Sequence, residues 1–451
     1  MDQIDFKHLT DEQGIIVNTI IKSALEAVDP YQSVCRSIQI DQNYLSICEK
    51  KYDISNIDRI KLIGMGKAVG AMAAAVIKKI GGLVDGGVLV AKHDVSAWNL
   101  PESIRIYYGS HPIPSEKSVK AAESLVDFLK NVAKNDLVIS LISGGGSALV
   151  TKPIAPISIG EMQVLTSLLL ESGADIEEIN TIRKHLDALK GGGIAEIAGQ
   201  AQMATLILSD VLGDDISMIA SGPTCADETT FTDADRLIRH YELEKKIPQS
   251  ILGVIDGGIR GEIAETLKPG SRILKSKRNY IIGNLTNAIE KAIKTATDLG
   301  LHTQVISTCM VGEAKEVGKF CGTVLKSMKS TDLVISKPGL VIGGGETTVI
   351  IKGDGKGGRN QEIAFGAMHE IAGLDNCAVI SIATDGEDGP TDAAGAYVTG
   401  YTLTRANEMG LQVDDFGENN NTYALFDQTA NLIKIGPTGT NVNDLLFLFA
   451  F

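Results

Sequence analysis

The sequence predicts an α/β protein made of two α/β units that a helical connector separates. Short apolar runs alternate with segments of helix length, which is the pattern of βαβ units around a parallel sheet. Continuous apolar runs such as Asp136–Ile142 are typical of strands buried on both faces. The 48 glycines outnumber the 12 prolines, and many cluster in loops where the backbone can approach a ligand closely.

The first half of the chain supplies one series of alternating elements. Apolar residues at helical spacing over Gly14–Ala27 predict an opening amphipathic helix. A second helix is predicted to follow Lys67, and a third to cover Ser115–Asn131 with Ser115 or Ser118 as its cap. The apolar runs predict strands at Arg59–Gly64, Gly86–Ala91, Ile104–Tyr108, Asp136–Ile142 and Ala204–Leu208.

A second series follows a change in character between Asp227 and Lys277. This stretch is polar and lacks strong strand patterns, so we predict a helical connector. Helices are predicted over Ala288–Leu299 and Gly312–Met328, and the last apolar run, Leu445–Phe451, is predicted to be a buried strand. The other strands of this half are predicted at Tyr280–Gly283, Thr303–Ser307, Leu340–Ile342 and Ala378–Ile382.

Charge and composition exclude several classes of protein. The 451 residues include 42 lysines and arginines and 56 aspartates and glutamates, a net charge of −14, which argues against nucleic-acid or anionic-membrane partners. The apolar runs fall far short of the roughly 20 residues that span a bilayer. The acidic start, Met1–Asp5, has no signal-peptide pattern, so we expect a cytoplasmic protein. Six scattered cysteines, with no C-x-x-C pair and no Cys/His cluster at zinc spacing, are expected to be buried free thiols of a protein in a reducing compartment.

The first glycine-rich turn, Gly64-Met65-Gly66-Lys67-Ala68-Val69-Gly70, lies between a predicted strand and a predicted helix. It is one residue longer than the dinucleotide fingerprint G-x-G-x-x-G, and no acidic residue is well placed to bind a ribose. A lysine at a helix N-terminus is unfavourable with the helix dipole unless an anion lies there. Lys67 is therefore either a merely exposed lysine or, as we expect, a cation that binds phosphate.

Two further segments follow predicted strands of the first half. Ser143-Gly144-Gly145-Gly146-Ser147 can direct successive N–H groups at a phosphate, helped by the dipole of the next helix; the alternative is a flexible turn. Asp210 is the strongest candidate for hydrated Mg²⁺, which needs only one or two protein oxygens. Asp214 or Asp215 could be a second ligand or the cap of the next helix.

The second half repeats this pattern. Gly343-Gly344-Gly345-Glu346-Thr347-Thr348 is predicted to be a glycine loop after a strand. The stretch Gly353–Glu362 is interpreted as a hairpin turn that opens a helix, with Arg359 at the helix start. An arginine there offers a fork of N–H donors to phosphate or carboxylate and, like Lys67, needs an anion in front of it.

Acidic residues concentrate in Thr384–Gly395, where four of eight consecutive residues, beginning at Asp385, carry carboxylates that could bind a metal or a substrate hydroxyl. A related glycine segment, Gly436–Asp444, precedes the last strand. A lone histidine, His111, follows a predicted strand and is either structural or functional. The sequence contains no G-x-S-x-G elbow for acyl transfer and no H-E-x-x-H pair for zinc.

Taken together, these segments favour phosphoryl transfer. They supply loops that can bind phosphate, two placed cations in Lys67 and Arg359, and several carboxylates. Phosphoryl transfer needs positioning and the neutralisation of charge by cations and Mg²⁺, with little covalent catalysis.

The sequence resembles a known family, the type II glycerate kinases, also called the MOFRL family, over nearly the whole chain. The resemblance implies a Rossmann-like parallel sheet in an N-terminal domain over 1–240, a helical connector over 241–277 and a smaller C-terminal α/β domain over 278–451, with the active site between the domains. It rests on Gly64–Ala68, Ser143–Leu149, Asn180–Leu186, Leu208–Asp214, Ser221–Thr224, Gly343–Thr348, Gly357–Glu362, Thr384–Gly395 and Gly436–Leu445.

The resemblance also implies an activity, the ATP- and Mg²⁺-dependent phosphorylation of D-glycerate to 2-phosphoglycerate. The family's lysine in the first glycine turn matches Lys67, and its arginine in the later segment matches Arg359; both are thought to serve catalysis there. On this hypothesis Asp210 holds Mg²⁺ together with Asp214, and Asp385 orients the glycerate hydroxyl. The residues expected to contact the nucleotide are Gly64, Gly66, Ser143, Gly144, Gly145, Gly146, Ser147, Gly344, Gly345 and Glu346.

Two alternatives stay open at the level of sequence. An NAD(P)H-dependent hydroxypyruvate reductase is the runner-up, although the longer glycine turn, the missing ribose acid and the lack of a His/Asp relay for hydride transfer argue against it. A sensor that binds a nucleotide or sugar acid without turnover is the third possibility. The residues leave open whether C2 or C3 is phosphorylated and which loop binds ATP, and they are compatible with a homodimer.

Overall fold

The computed structural model describes residues 4–451, so Met1–Gln3 of the acidic start lie outside the described residues. The helices are α1 (Asp11–Ala27), α2 (Pro30–Ser37), α3 (Val69–Ile80), α4 (Glu116–Leu129), α5 (Gly146–Leu149), α6 (Ile159–Glu171), α7 (Ile176–Lys184), α8 (Gly193–Ile197), α9 (Phe231–His240), α10 (Gln249–Ile259), α11 (Leu285–Asp298), α12 (Ala314–Ser330), α13 (Arg359–Glu370), α14 (Thr402–Glu408), α15 (Val413–Glu418) and α16 (Thr422–Gln428). The strands are β1 (Ile38–Ile40), β2 (Tyr44–Ile47), β3 (Lys50–Asp53), β4 (Ile60–Met65), β5 (Val84–Ala91), β6 (Ile104–Tyr108), β7 (Leu137–Ile142), β8 (Gln202–Leu208), β9 (Lys277–Gly283), β10 (His302–Met310), β11 (Gly339–Gly345), β12 (Cys377–Ala383), β13 (Gly395–Thr399), β14 (Leu432–Ile433) and β15 (Asp444–Ala450).

The chain forms two compact units. Residues 30–282 make one unit, and residues 4–29 together with 283–451 make the other. Within residues 4–451, no helix is long and apolar enough to cross a membrane. All six cysteines are free thiols, as the sequence predicted, but only Cys321 and Cys377 of the six are buried, and Cys309 is exposed.

A six-stranded sheet organises residues 30–282, with the strand order β6-β5-β4-β7-β8-β9. β4 pairs in parallel with β5 and with β7, and the pairs β5–β6 and β7–β8 are also parallel. Counted within the sheet, the order is 3-2-1-4-5-6, which is that of a doubly wound Rossmann sheet. The predicted Rossmann-like sheet is therefore confirmed. Every residue of β4 and β7 is buried, in agreement with their apolar runs.

The second unit contains a mixed six-stranded sheet in the order β10-β11-β15-β12-β13-β14. β10 and β11 are parallel, whereas β15 runs antiparallel to both of its neighbours, β11 and β12. The predicted final strand is confirmed as β15, and it lies inside the sheet with all of its residues buried. This topology confirms the predicted second α/β unit.

The opening helix belongs with the C-terminal half of the chain. α1 packs against α11. The segment before it is fixed by Tyr397, whose hydroxyl accepts a hydrogen bond from the N–H of Lys7 at 2.7 Å and whose ring meets Phe6 edge-on. The predicted ranges 1–240, 241–277 and 278–451 group this helix with the first half, whereas its contacts lie in the second unit.

The segment 241–277, predicted as a connector, contributes to a core of residues 30–282. Its α-helix, α10, buries Ile251, Val254 and Ile255 among apolar residues of α6, α7 and α9. The charged residues Glu242, Glu244, Lys245 and Lys246 precede the apolar run of α10, so the polar composition of the segment as a whole hid this packing. The antiparallel sheet β1-β2-β3 is a further element that the sequence analysis did not predict.

Candidate active site

The strand order of the parallel sheet defines a ligand-binding position between β4 and β7. Crossovers leave these neighbouring strands in opposite directions, and doubly wound sheets bind ligands at the carboxyl ends of the strands at such a point. Gly66 and Lys67 follow β4 directly, and Ser143 follows β7. The structure therefore brings the first two predicted glycine segments together.

Hydrogen bonds join these two turns. The N–H of Lys67 donates to the carbonyl oxygen of Gly144 at 3.0 Å, and the N–H of Ala68 donates to Ser143 Oγ at 3.0 Å. Gly66 has a φ of +133°, and a Cβ at this residue would lie 2.1 Å from Ser143 Oγ. Both the backbone conformation and the lack of space at residue 66 therefore require glycine. These contacts hold the turn after β4 against the loop after β7.

Lys67 is partly buried, and within residues 4–451 its ammonium forms no ion pair with a carboxylate. His111 lies beside it: a Cβ on Gly145 would be 3.0 Å from His111 Cδ2 and 3.5 Å from Lys67 Cγ. Burial, followed by the charge of Lys67, lowers the pKa of His111 to about 4. His111 is thus neutral near pH 7, its Nδ1 is buried without a hydrogen-bond partner, and Lys67 is the cation of this turn.

The carboxylate of Asp210 packs against the same glycine loop, since a Cβ on Gly144 would lie 2.2 Å from its Oδ2. Asp214 follows in a turn with a φ of +58°. The carboxylate of Asp215 accepts a hydrogen bond from the N–H of Ser217 at 2.8 Å and so stabilises the local turn. Of the two candidates for a cap, it is therefore Asp215 that closes a turn.

One carboxylate, that of Asp210, lies against the glycine loop, and Mg²⁺ can be bound by the protein through as few as one or two carboxylates. Among the described residues, no group of three His, Cys, Asp or Glu side chains could hold a metal ion. Mg²⁺ that is bound through one or two carboxylates and substrate phosphates needs no such group. The position of Asp210 against a candidate phosphate-binding loop is compatible with that mode.

The expected help from a helix dipole behind the glycine loop is largely absent, because α5 is a single turn and the macrodipole of one turn is small. Side chains fix the far end of the loop instead. Ser147 Oγ lies 2.8 Å from Ser221 Oγ, which donates to Asn180 Oδ1 at 2.9 Å. Ser221 is fully buried, so this chain of polar groups ties the loop to α7.

In the second unit, the glycines of the predicted Gly343–Gly345 loop belong to strand β11, and the prediction of a loop conformation there is wrong. A Cβ on Gly344 would lie 2.5 Å from the carbonyl oxygen of Asp444, and one on Gly345 would lie 2.1 Å from that of Met310. These glycines let the chain pack closely within the sheet. Glu346 is the first residue beyond the strand, and nucleotide contacts by Gly344, Gly345 and Glu346 stay a prediction.

The predicted hairpin turn over Gly353–Glu362 is also wrong. Residues 349–358 form no strand and run as a loop into α13. The side chains of Asn419, Asn420 and Asn421 accept hydrogen bonds from backbone N–H groups of residues 352–356. The helix that follows begins at Arg359, as the sequence predicted.

Protein carboxylates already bind Arg359. Its Nε and Nη2 donate to the two carboxylate oxygens of Asp444 at 2.5 and 3.2 Å, and its Nη1 donates to Glu346 Oε1 at 3.0 Å. Burial acts to lower the pKa of Arg359, but the charge and hydrogen bonds of Asp444, together with the charges of Glu346 and Asp388, outweigh it and raise that pKa. Burial raises the pKa of Asp444 to about 7, although Arg359 opposes the rise. An arginine has five N–H donors, so two of them remain for a ligand.

The anion at the start of α13 is Asp388, one of the four predicted acidic residues. It is 1% exposed. Its Oδ1 accepts from the N–H of Asn360 at 3.1 Å and its Oδ2 from the N–H of Gln361 at 3.0 Å. Asp388 therefore caps the helix that carries Arg359, which satisfies both the N–H groups and the positive end of the helix dipole.

Two other acidic residues of this segment, Asp392 and Asp385, differ in what their carboxylates bind. Asp392 accepts a hydrogen bond from the hydroxyl of Tyr423 at 2.6 Å and pairs with Lys434. Asp385 lies two residues after β12, is partly buried, and accepts a hydrogen bond from the N–H of Glu387 at 3.1 Å. The carboxylates of Asp388 and Asp392 thus make structural hydrogen bonds and ion pairs. Asp385 lies just beyond the carboxyl end of β12, and its role in the reaction stays a prediction.

Sequence reasoning gave no role to Asp444. This residue begins β15 and lies opposite both Gly345 of β11 and Ala383 of β12. The only sequence signal for it is an acidic residue at the start of an apolar run. The antiparallel register, which the sequence does not reveal, brings it to Arg359.

Comparisons with known proteins cover nearly the whole chain. The MOFRL family profile matches residues 339–444, and that of a domain of unknown function, DUF4147, matches residues 16–256. The glycerate 2-kinase of Pyrococcus horikoshii is 38% identical over 428 residues, 95% of each chain. The crystal structure of a glycerate kinase from Thermotoga maritima matches with a TM-score of 0.86 and 37% identity, over 97% of this chain and 99% of that one.

One relative carries a different name. A protein of Agrobacterium vitis is 37% identical over 391 residues, 86% of each chain, and is provisionally named a hydroxypyruvate reductase.

Proposed function

This chain belongs to the family of type II glycerate kinases, and we propose that it transfers the γ-phosphoryl group of ATP to the C2 hydroxyl of D-glycerate, giving 2-phosphoglycerate. One observation carries the proposal: Lys67 lies without a carboxylate partner, within the described residues, where β4 and β7 of a Rossmann-like sheet meet. A kinase needs a cation at such a place because the transferring phosphoryl group carries negative charge on its oxygens.

Lys67 and the Ser143–Ser147 loop form the phosphate-binding part of the proposal. The hydrogen bonds between the two turns hold the lysine backbone in place before any phosphate binds. Fixed donors and charges stabilise a transition state more effectively than groups that must first reorganise. Gly66 leaves room for the two turns to meet, and Gly64, inside β4, leaves room for the side chains of Val69, Leu89 and Leu141.

Arg359 is proposed as the second cation of the reaction. Its guanidinium is oriented by Asp444 and Glu346, and its remaining N–H donors are proposed to bind phosphoryl oxygens. Asp385 is proposed to orient the attacking hydroxyl of glycerate. Phosphoryl transfer does not demand a strong base, so orientation is the main contribution expected of this carboxylate.

Mg²⁺ is proposed as the metal that accompanies ATP. Asp210, with Asp214, would hold it, and the ion would supply positive charge at the phosphate oxygens. A cytoplasmic location and a homodimer also belong to the proposal. Light scattering at micromolar concentration measures the dimer directly.

The test is an assay of the purified protein with D-glycerate, ATP and Mg²⁺, in which ADP release is followed and the product is identified by phosphorus NMR. A 2-phosphoglycerate signal that is lost in Lys67→Met supports the proposal. A 3-phosphoglycerate signal would replace C2 by C3 as the site of transfer.

A hydroxypyruvate reductase is the second candidate, because the relative from Agrobacterium vitis carries that name. A parallel reaction with hydroxypyruvate and NADH tests it. Consumption of NADH without any release of ADP in the kinase assay would replace the kinase by the reductase.

A further inference from the structure

One arginine outside the predicted site has a side chain without a partner in the described part of the chain. The side chain of Arg183, in the last turn of α7, forms no hydrogen bond or ion pair within residues 4–451. Its Nε is buried without a hydrogen-bond partner, while the side chain as a whole stays partly exposed. Buried polar groups are nearly always hydrogen-bonded, because an unpaired one loses its hydration without compensation. A residue that is partly exposed, but whose guanidinium carries a buried and unsatisfied N–H, therefore indicates a place for an anion.

The charges around Arg183 do not balance. Asp187 is the carboxylate whose charge acts on it, but other groups occupy that carboxylate. Lys190 Nζ donates to it at 2.8 Å, and the N–H groups of Lys152 and Leu189 each donate at 3.0 Å. Burial lowers the pKa of both Arg183 and Lys190, because a cation that loses its hydration gives up its proton more easily. Two cations thus share one carboxylate, and one positive charge is left over.

Hydrogen bonds link the helix that carries this arginine to the glycine loop after β7. Asn180, three residues earlier on α7 and hence on the same face of the helix, accepts the hydrogen bond of Ser221, and Ser221 contacts the hydroxyl of Ser147. The chain that continues from the loop pairs with the Arg183 region, since Pro153 forms a bridge with Asp187. Arg183 therefore belongs to the surroundings of the loop that is proposed to bind phosphate.

We propose that Arg183 binds the carboxylate of D-glycerate. This inference rests on the proposed function and names a group for the acid end of the substrate. A guanidinium binds a carboxylate through two parallel hydrogen bonds, and a single carboxylate charge balances the single excess charge around Arg183. An ATP phosphate offers similar oxygens but more charge than this environment needs.

The test compares Arg183→Gln with Arg272→Gln, a control at an exposed arginine of the same unit. We expect the KM for D-glycerate to rise at least tenfold in Arg183→Gln, the KM for ATP to stay within twofold, and Arg183→Lys to recover part of the loss. Because the guanidinium has no protein partner, Arg183→Gln should melt at the wild-type temperature or above it. The control variant should match the wild type in all three measurements.

Direct binding separates this inference from the proposed kinase activity. By calorimetry, the wild type should bind D-glycerate and not the neutral analogue glycerol, and Arg183→Gln should bind neither. This holds even if the wild type releases no ADP, an outcome that would overturn the kinase alone. A rise in the KM for ATP instead of glycerate, unchanged binding of D-glycerate, or a lower melting temperature of Arg183→Gln would each overturn the role of Arg183.

Discussion

The two sheets of this protein present their predicted cations in opposite electrostatic settings. Lys67, after β4, has no carboxylate partner among residues 4–451 and lies beside a neutral His111. Arg359, at the start of α13, is bound by Asp444 and Glu346. The sequence pattern is the same in both places, a cation at the beginning of a helix. The difference teaches that this pattern does not determine the electrostatic setting: one cation is available to the proposed phosphate, whereas the other is already paired with carboxylates of the protein.

The largest effect is expected for Arg359→Met. Loss of a charge that stabilises the transition state should lower kcat about 100-fold or more. Leaving the buried Asp444 without its partner should also cost about 3 kcal/mol of the free energy of unfolding. Activity assays and urea denaturation at pH 8 measure both losses.

The double variant Arg359→Met/Asp444→Asn is the matched control for this effect. It removes the orphaned carboxylate, so it should recover most of the stability and none of the activity. Equal stability of the single and double variants at pH 8 would show that Asp444 is not held by Arg359.

Lys67→Met should lose kcat by a similar factor, about 100-fold, for the same electrostatic reason. Lys78→Met, on the exposed face of α3, is the matched control and should keep the wild-type kcat. Steady-state assays with saturating ATP and glycerate measure both variants. A Lys67→Met enzyme of normal kcat would remove this residue from the reaction.

Asp388→Ala tests the cap of α13, the helix that begins with Arg359. It removes the carboxylate that caps α13 with two backbone hydrogen bonds, so the free energy of unfolding should fall by about 2 kcal/mol. Glu387→Ala, at the exposed neighbouring residue, should change it by less than about 0.5 kcal/mol. Denaturation curves of both variants decide this, and equal losses would mean that the cap contributes nothing specific.

The smallest effect depends on pH. Burial raises the pKa of Glu362 to about 7, and its Oε1 has no hydrogen-bond partner. The folded state keeps this proton up to about pH 7, whereas the unfolded chain releases it near pH 4.5, so stability is lost as the pH rises between these values. Glu362→Gln removes that loss and should gain about 1–2 kcal/mol more at pH 8 than at pH 5. A gain independent of pH would contradict the raised pKa.

Local chemistry made part of this molecule predictable. The strands of the parallel sheet are continuous apolar runs, and the turns after them can be recognised by glycine next to lysine or serine. Lys67, Ser143 and Asp210 could therefore be assigned to one site from the sequence. Sheets of this class bind ligands at the ends of those strands, which links the local signal to a place in the fold.

The remainder depends on contacts between distant parts of the chain. The pair Arg359–Asp444 joins residues 85 positions apart through the register of β11 and β15. A glycine that leaves room for a neighbouring strand, such as Gly345, looks the same in sequence as one in a ligand loop. The hydrogen bond between Lys7 and Tyr397 joins residues 390 positions apart, and no pattern in the opening segment predicts it.

The most direct test of the difference between the two cations is the thermal unfolding of Lys67→Met and wild-type protein, each with and without ATP and Mg²⁺. We predict equal melting temperatures without nucleotide, because Lys67 has no protein carboxylate to leave unpaired, and a shift on adding ATP that the variant largely loses. A variant that melts several degrees lower without ATP, or that keeps the full shift, would contradict the assignment of Lys67 as a cation for bound phosphate.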